Sequence, residues 1–323
     1  MSMRLPRIAR TLAAIATLTA AMASAQTFPA RPIHFVVAFT AGSATDIIAR
    51  TIGDTMSKSL GQAIVIDNKP GAGGTIAANS VAKGEPDGYT YLVHSAGHSV
   101  NPAIYSSLTY DTVRDFAGIS PLANLPNVLV VPPGRYKTVA ELVAAAKANP
   151  GKLNFGSAGA GSATHMNAEK FRAVAGFDAQ HIPYKGTPEA LTEVMTGRLD
   201  FFFAPIVAAL PLIKDGKLVA LAVGTAKRTS LLPDVPSTVE LGYADSDFNF
   251  WIGLFAPAKT PRDIVNRMNA EVTKALQSPE IRERYATLGA EPFSMKPEEF
   301  DAYVKSEVEL NGKIVKAAGI KVN

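Results

Sequence analysis

The sequence predicts an α/β fold of two lobes, each with a mostly parallel β-sheet flanked by helices. A length of 323 residues is typical of about two domains of ordinary size, and 47% hydrophobic residues are enough to fill their cores. Short β-branched and aromatic runs alternate with segments of helical periodicity, as in parallel α/β sheets. This alternation starts twice along the chain and is followed by a helical tail.

The first unit begins at residues 33–39, where a β-branched and aromatic run predicts a buried strand. A small-residue turn at 40–44 follows, and Ser43 or Thr45 can cap a helix that ends at Gly61. The remaining elements of this unit are strands at 63–67 and 89–95, with a helix at 75–83 after the glycine turn 70–74.

The second unit repeats the pattern from residue 127. Its strands are predicted at 127–131, 153–155, 181–184, 199–203 and 218–223, and its helices at 139–148, 163–175 and 188–196. A further strand at 251–256 and helices at 261–277, 279–288 and 297–318 complete the chain. The sequence therefore predicts two α/β units followed by a mostly helical tail.

Residues 1–25 have the pattern of a secretory signal peptide. Arg4, Arg7 and Arg10 precede a short apolar stretch, the segment contains no acidic residue, and it ends in Ala23-Ser-Ala25. The apolar stretch is shorter than the roughly 20 residues that span a bilayer. We therefore expect cleavage after Ala25 and export; an uncleaved N-terminal anchor is the alternative.

Charge and cysteine content exclude several classes of protein. Lys and Arg total 32 against 28 Asp and Glu, a net charge of +4, and three positive charges belong to the expected signal peptide. The remaining chain lacks the clustered basic residues that nucleic-acid binding needs, so we expect no nucleic-acid partner. The absence of cysteine excludes disulfides, thiolate metal sites and cysteine nucleophiles. We expect no cofactor.

Two small-residue turns follow strands at the edge where ligands bind in open α/β sheets. One is the turn at 40–44, and the other is Gly156-Ser-Ala-Gly-Ala-Gly-Ser162. Each opens a helix, and therefore presents unpaired backbone N–H groups and the partial positive charge of a helix start. Such ends bind anions without Lys or Arg. We expect the two turns to face each other across a cleft and to clamp a carboxylate.

A series of short motifs extends in order over essentially the whole exported chain. They are Asp67-Asn-Lys-Pro-Gly-Ala-Gly-Gly74, Pro86-Asp-Gly-Tyr89, Asn101-Pro-Ala-Ile-Tyr105, Asn149-Pro-Gly-Lys-Leu-Asn-Phe-Gly-Ser-Ala-Gly159, His181-Ile-Pro-Tyr-Lys-Gly186, Gly216-Lys-Leu-Val-Ala-Leu-Ala222 and Leu232-Pro-Asp-Val-Pro236. Each motif alone is weak, whereas the series is highly specific. The chain resembles the solute receptors of tripartite tricarboxylate transporters, the Bug-type periplasmic binding proteins.

The resemblance implies a two-lobed Venus-flytrap receptor with its ligand cleft between the lobes. It also implies a periplasmic location and a small carboxylate ligand, which is delivered to an inner-membrane permease with a large and a small membrane subunit. By position, lobe 1 would comprise residues 26–126 and 248–323, and lobe 2 residues 127–247. We expect a monomer without enzymatic activity.

In the family, backbone amides of the two helix-opening loops hold one ligand carboxylate, often through ordered waters. By position these loops are 39–46 and 157–165, with further walls at 95–98 and 203–206. We expect neither a catalytic residue nor a metal ligand among them. The residues expected to contact the ligand are Phe39, Thr40, Ala41, Gly42, Ser43, Asp46, Ser95, His98, Ser157, Ala158, Gly161, Ser162, Thr164, His165, Phe203 and Pro205.

The first of these loops departs from the family pattern. It usually reads Pro-Phe-Pro-Pro-Gly-Gly, whereas this chain has Ala38-Phe-Thr-Ala-Gly-Ser43. Loss of the prolines restores a backbone N–H donor, and Thr40 and Ser43 add hydroxyl groups. With Phe39 and Phe203 as packing partners for a ring, this polar loop favours an aromatic or dicarboxylic acid, and terephthalate is one candidate.

Other interpretations of the same residues are weaker. The glycine turn at 71–74 lacks the Lys-Ser/Thr of a phosphate-binding loop, so it favours strand-to-helix packing. His94 and His98 have a spacing of four, but a strand running into Gly97 separates their faces, and no third metal ligand is near in sequence. A metal site is therefore not predicted.

Two other functions are alternatives to transport. A periplasmic hydrolase would have to use His98 or His165 as its base, but the Gly-x-Ser-x-Gly pentapeptide of a serine nucleophile does not occur. A receptor that reports its ligand state to a membrane signalling protein would close in the same way as a transport receptor. The sequence alone leaves this second alternative open.

Overall fold

The computed structural model describes residues 28–317 and 319–320. The expected signal peptide at residues 1–25 lies outside the described residues. Within them, the chain forms two sheets flanked by helices, and this confirms the predicted two-lobed α/β fold. None of the described helices combines the length and the apolar character needed to cross a bilayer.

The first sheet forms the centre of lobe 1. Its strands, numbered in chain order, are β1 (Ile33–Val37), β2 (Ile64–Asn68), β3 (Thr90–Ser95), β4 (Phe116–Leu125), β10 (Phe250–Pro257) and β11 (Glu291–Pro292). They lie in the order β11-β4-β10-β3-β1-β2. β1 pairs in parallel with β2 and β3, whereas β10 lies antiparallel between β3 and β4. Four of these described strands therefore share one direction, and β10 and β11 run against them.

The second sheet forms the centre of lobe 2. Its strands are β5 (Asn127–Val131), β6 (Asn154–Ser157), β7 (Gln180–Pro183), β8 (Phe201–Pro205) and β9 (Val219–Val223). They lie in the order β7-β6-β8-β5-β9. β6 pairs in parallel with β7 and β8, and β5 is antiparallel to both β8 and β9. Each sheet is thus mixed, with one strand reversed inside a parallel majority, and in the first sheet the edge strand β11 is reversed as well.

The chain passes between the two sheets twice. Pro126 alone separates β4 from β5. The return passes through residues 224–249, which carry the chain from β9 to β10. The antiparallel strand inside each sheet, β5 or β10, is therefore the first one formed after the chain crosses.

Ten helices flank the sheets in the described part of the chain, and their caps explain where they begin and end. They are α1 (Ala44–Leu60), α2 (Thr75–Ala82), α3 (Gly97–Ile104), α4 (Val139–Ala148), α5 (Ala163–Ala175), α6 (Thr187–Met195), α7 (Ile206–Lys214), α8 (Arg262–Gln277), α9 (Pro279–Leu288) and α10 (Pro297–Ala317). α5 shows both signals: the Ser162 hydroxyl accepts from His165 N, and Gly176 ends the helix in the left-handed region.

The sequence does not predict four of these elements: β4, β11, α3 and α7. Both missed helices contain a proline, Pro102 in α3 and Pro211 in α7, which is unfavourable inside a helix. Pro102 has no N–H group to donate to the carbonyl of His98, four residues earlier in α3. The Thr112 hydroxyl donates to this carbonyl instead. Tertiary contacts therefore override the local breaker signal.

The hydrophobic core of lobe 1 continues across the gap into lobe 2. Its buried cluster includes Phe39 and Val100 on the first side, and Ala158, Ala163 and Met166 on the second. Two further buried clusters lie on either face of the second sheet. The lobes are therefore pressed together where the strands of both sheets end.

Candidate functional site

A small cavity lies between the lobes at the carboxyl ends of four strands. Phe39 follows β1, Ser95 ends β3, Ala158 follows β6 and Pro205 ends β8, and all four line the cavity. The cavity is nearly closed, with about 10 Å³ of space, which is room for about one water molecule. This is the position at which open α/β sheets bind ligands, so it is the candidate functional site.

The first turn of α1 forms one wall. Ser43 is its N-cap, with extended backbone angles, but its hydroxyl does not cap its own helix. It accepts a hydrogen bond from the backbone N–H of Thr187 in lobe 2 instead, at 3.1 Å. Because helix geometry gives the first N–H groups no acceptor within the helix, those of Ala44 and Thr45 remain available to a ligand.

The first turn of α5 forms the facing wall in lobe 2. The N-cap Ser162 accepts from His165 N at 3.3 Å, which leaves the N–H groups of Ala163 and Thr164 without an intrahelical acceptor. The Thr164 hydroxyl lies 3.0 Å from that of Ser162 and accepts from Ala158 N at 2.9 Å. These hydroxyls fix the turn on which the two N–H groups lie.

The electrostatics of the cavity come from the backbone. Among the described residues, its lining contains no charged side chain. The two helix starts each carry a partial positive charge of roughly half a proton charge. Two such ends at one cavity, with serine and threonine hydroxyls between them, can hold a carboxylate without a salt bridge. The predicted convergence of two helix starts is therefore present.

Asp46 stands behind the α1 wall and fixes the loop before it. Its carboxylate accepts from Gly42 N at 2.9 Å, Asn68 Nδ2 at 2.9 Å and Arg50 Nε at 3.1 Å. Burial alone would raise the pKa of Asp46, but these hydrogen bonds outweigh burial and hold its pKa below the usual value. Both oxygens of the carboxylate already accept hydrogen bonds and Asp46 does not line the cavity, so its role is to shape the loop.

Seven of the sixteen predicted contact residues line the cavity. They are Phe39, Ser43, Ser95, Ala158, Ser162, Thr164 and Pro205. Five further lining residues were not among the sixteen: Ala44, Thr45 and Ala163, which lie within the predicted loops 39–46 and 157–165, and Thr187 and Phe250, which the sequence analysis did not indicate. Thr187 had a usable signal, because Gly186-Thr-Pro188 is a third small-residue helix start. Phe250 had none, since only the return of β10 brings it to the cavity.

His98 lies in the core of lobe 1 and does not reach the cavity. It is fully buried, with its ring centroid 4.8 Å from that of Phe116 and 4.9 Å from that of Phe255. Burial holds its pKa well below the usual value, and the nearby His94 adds to this effect. The start of α3 turns this side chain back into the aromatic cluster, away from the ligand position predicted for it.

Phe203 is likewise a core residue. Its fully buried ring packs 5.5 Å from that of Phe171 on α5. Phe203 and Pro205 lie on the same face of β8, but only Pro205, at the strand end, lines the cavity. The aromatic walls of the cavity are Phe39 and Phe250.

Three predicted residues of the second loop brace it from behind. Ser157 Oγ lies 2.6 Å from Nε2 of His181 and accepts from Gly159 N. His165 stacks on His181 with 3.8 Å between ring centroids, and its Nδ1 accepts from Gly161 N. Burial, assisted by His165, lowers the pKa of His181 to about 3, so its ring is neutral at pH 7. The group holds the shape of the loop.

The last three predicted residues lie at the rim of the first loop. Thr40 is half-buried and its hydroxyl donates to Glu189 of lobe 2 at 3.1 Å. Ala41 is exposed, and Gly42 is exposed with its backbone in the left-handed region. The loop therefore meets the other lobe through Thr40, while its tip faces solvent.

Fold and site together define the class: a two-lobed α/β protein of the solute-binding type, with a cavity between its lobes. The chain belongs to the receptor family of the tripartite tricarboxylate transporters. The model of that family, described as "Tripartite tricarboxylate transporter family receptor", matches residues 48–320. The resemblance inferred from the sequence motifs is confirmed.

Named relatives are similar along nearly the full length. A UPF0065 protein encoded in the tcbD-tcbE intergenic region of Pseudomonas sp. strain P51 is 38% identical over 312 residues, which are 95% of this chain and 93% of the relative. The protein BugT of Bordetella pertussis is 34% identical over 306 residues, 94% of either chain.

Two solved structures share the fold along nearly the whole described chain. Rpa4515 of R. palustris, solved with adipate, has a TM-score of 0.88 and 34% identity, and the match covers 91% of this chain and 100% of that one. MatC (Rpa3494) of Rhodopseudomonas palustris, solved with bound malate, has a TM-score of 0.84 and 34% identity, and the match covers 89% and 100%.

Proposed function

We propose that this chain is a periplasmic receptor that captures a small carboxylate between its lobes and delivers it to the membrane permease of a tripartite tricarboxylate transporter. One observation carries the proposal: the first turns of α1 and α5, from different lobes, line the same cavity. Their free N–H groups are suited to binding an anion such as a carboxylate. No charged side chain of the described lining would pair with it or repel it.

The ligand we propose is a dicarboxylic acid. Relatives of similar fold were solved with adipate and with malate, both of which carry two carboxyl groups. One carboxylate would accept from the N–H groups of Ala44 and Ala163, and the carbon skeleton would lie between Phe39 and Phe250. This pair of aromatic walls also supports a planar diacid such as terephthalate.

Closure would transmit the presence of ligand to the permease, which has a large and a small membrane subunit. We place the boundaries between the lobes after residues 126 and 247, as the short crossing at Pro126 supports. A ligand that contacts both lobes binds the closed form more tightly than the open form and shifts the equilibrium towards it. The receptor would work in the periplasm as a monomer, after removal of residues 1–25.

Isothermal titration calorimetry of the exported chain tests the proposal, with thermal-shift assays as a second readout. The probes are adipate, malate and terephthalate, together with the monocarboxylate benzoate. We expect saturable binding of at least one diacid and much weaker binding of benzoate. A ligand at 100 times its Kd should stabilise the protein by about 2.7 kcal/mol.

Two results would contradict the proposal. Binding of none of these acids, combined with tight binding of an amine or a neutral sugar, would show that the protein is not a carboxylate receptor. Binding of aliphatic diacids alone would retain the receptor and exclude the terephthalate-like ligand. Native mass spectrometry of freshly purified protein adds an unbiased check, because a tightly held ligand travels with its receptor.

A further inference from the structure

A second set of contacts joins the lobes beside the cavity, at the start of α6. The Thr40 hydroxyl donates to Oε2 of Glu189 at 3.1 Å. The backbone N–H of Thr187 donates to Oγ of Ser43 at 3.1 Å. Both bonds run from the α1 loop of lobe 1 to the first turn of α6 in lobe 2, so they exist only while the lobes are closed.

Gly186 gives these two hydroxyls the room they need. A methyl group at this position would overlap Oγ1 of Thr40 and come within 2.6 Å of Oγ of Ser43. The backbone of Gly186 is fully extended, at φ −174° and ψ −176°, a conformation that any residue adopts. Glycine is therefore required by the neighbouring lobe and not by the local backbone.

Gly97 repeats this relationship on a different helix. A methyl group there would lie 2.8 Å from the carbonyl oxygen of Gly161 and 3.1 Å from Cα of Ser162, both in lobe 2. Gly97 is the first residue of α3 and lacks the positive φ that favours glycine. Alanine would suit the helix better than glycine, so again the opposite lobe sets the requirement.

We propose that the α1 loop and the start of α6 form a closure latch, which holds the lobes together without help from a ligand. The latch consists of Thr40, Ser43, Gly186, Thr187 and Glu189. Its hydrogen bonds join one lobe directly to the other and do not involve the ligand. Their contribution to closure therefore does not depend on which acid is bound. The ligand-free protein therefore populates the closed arrangement, and ligand affinity depends on the latch through the closed fraction.

The latch deepens the proposed function, because closure is the step by which the receptor would capture its ligand. It also depends on chemistry particular to this chain. Thr40 and Ser43 are two of the four positions at which the first loop departs from the Pro-rich family pattern, and each supplies a hydroxyl to the other lobe. The departure thus changes how the lobes hold each other.

Spin-label distance measurement on the ligand-free exported chain tests the latch. The chain contains no cysteine, so Lys69→Cys in lobe 1 and Thr192→Cys in lobe 2 place labels at two exposed sites. We expect a short-distance population in the otherwise wild-type protein. Gly186→Ala should strongly reduce that population, whereas Gly312→Ala, a helical glycine with open space around it, should retain it.

Thr40→Val provides a second variant of matched shape, should Gly186→Ala not fold. It removes the bond to Glu189 and should also shift the distances towards the open form. Affinity for the best diacid should fall about tenfold in Gly186→Ala, in proportion to the lost closed fraction. Circular dichroism of each variant confirms that it is folded.

Either of two outcomes overturns the latch. One is a ligand-free protein with only the long distance, and the other is a Gly186→Ala protein with an unchanged distance distribution. Failure of the proposed function has a different signature, because the ligand-free distances can behave as expected while no carboxylate binds. Loss of binding at unchanged distances would assign these residues to ligand contact instead.

Discussion

The carboxylate of Asp46 and the backbone N–H of Gly42 lie 2.9 Å apart, so the third residue of α1 closes the turn that precedes its own helix. Asn68 and Arg50 donate to the same carboxylate. The turn carries the α1 wall of the cavity, and a buried charge outside the lining therefore sets the shape of a wall that is itself uncharged.

Asp46→Asn should destabilise the protein by about 2 kcal/mol at pH 7, the scale of a hydrogen bond to a charged group. The amide replaces an acceptor oxygen by a donor that faces Asn68 and Arg50. Because the folded pKa of Asp46 is lowered, its contribution is present above the unfolded pKa of about 3.8 and is lost as pH falls through the folded value. Urea unfolding at pH 7 and near pH 3 measures this; an equal difference at both values would contradict it.

Mild acid should destabilise the protein through its buried histidines. Burial lowers the pKa of His94 to about 4 and that of His181 to about 3, and it also lowers the pKa of His98. The unfolded chain takes up these protons near pH 6.5, so stability should fall as pH drops below 6.5, by up to about 1.4 kcal/mol per pH unit for each proton. Urea unfolding between pH 7 and pH 4.5 measures the slope.

His98→Phe tests the origin of that slope, because it keeps a ring in the aromatic cluster and removes one titrating group. We expect a shallower fall of stability with acid than in the wild type. Tyr110→Phe is the matched control, because it changes the same aromatic cluster without removing a group that titrates between pH 7 and pH 4.5, and it should leave the slope unchanged. An identical slope in the His98 variant would assign the acid sensitivity to other groups.

Proline at the first position of α1 or α5 should remove one N–H donor and leave the helix intact. Proline is favoured at this position, and the preceding Ser43 and Ser162 already have the extended backbone that proline requires. Ala44→Pro and Ala163→Pro should each weaken diacid binding about tenfold or more, since a hydrogen bond to a charged group contributes about 1.5–3 kcal/mol.

The controls for these variants distinguish three effects: the presence of a proline at a helix start, the added bulk, and the loss of the N–H donor. Arg262→Pro makes the same change at the exposed start of α8 and should leave affinity unaltered. Ala44→Val adds bulk but keeps the N–H group, so it should bind better than Ala44→Pro. Calorimetry that gives wild-type affinity for both proline variants would show that these N–H groups do not hold the ligand.

Tyr105→Phe should speed ligand release and leave the thermal stability nearly unchanged. The Tyr105 hydroxyl of lobe 1 donates to the carbonyl oxygen of Ala160 in lobe 2 at 3.0 Å. Its loss removes about 1 kcal/mol from the closed form only, which corresponds to a roughly fivefold faster off-rate. Stopped-flow displacement measures the rate, and a release rate equal to that of the wild type would exclude a role for this bond in closure.

Local signals in the sequence were sufficient for much of the fold. α4, α5 and α9 occur with the predicted bounds, because a Thr or Ser directly before each helix caps its first turn. α3 and α7 were missed because Pro102 and Pro211 are local breaker signals, and only tertiary packing overrides them.

The residues of the candidate site likewise fall into those that local sequence signals predict and those that only tertiary contacts place. The helix starts after β1 and β6 follow from strand–turn–helix order, so Ser43 and Ser162 could be placed in advance. Thr187 and Phe250 reach the cavity only through contact between lobes and through the returning strand. His98 was predicted at the ligand because the family resemblance placed a wall of the cleft at residues 95–98, but the unpredicted α3 turns it into the core.

The most direct test of the account is a crystal structure of the exported chain with its best-binding diacid. We predict one carboxylate between the lobes, within hydrogen-bonding distance of backbone N–H groups from the first turns of both α1 and α5. An acid held outside this cavity, or held there by a Lys or Arg side chain, would contradict the claim that paired helix starts bind the ligand.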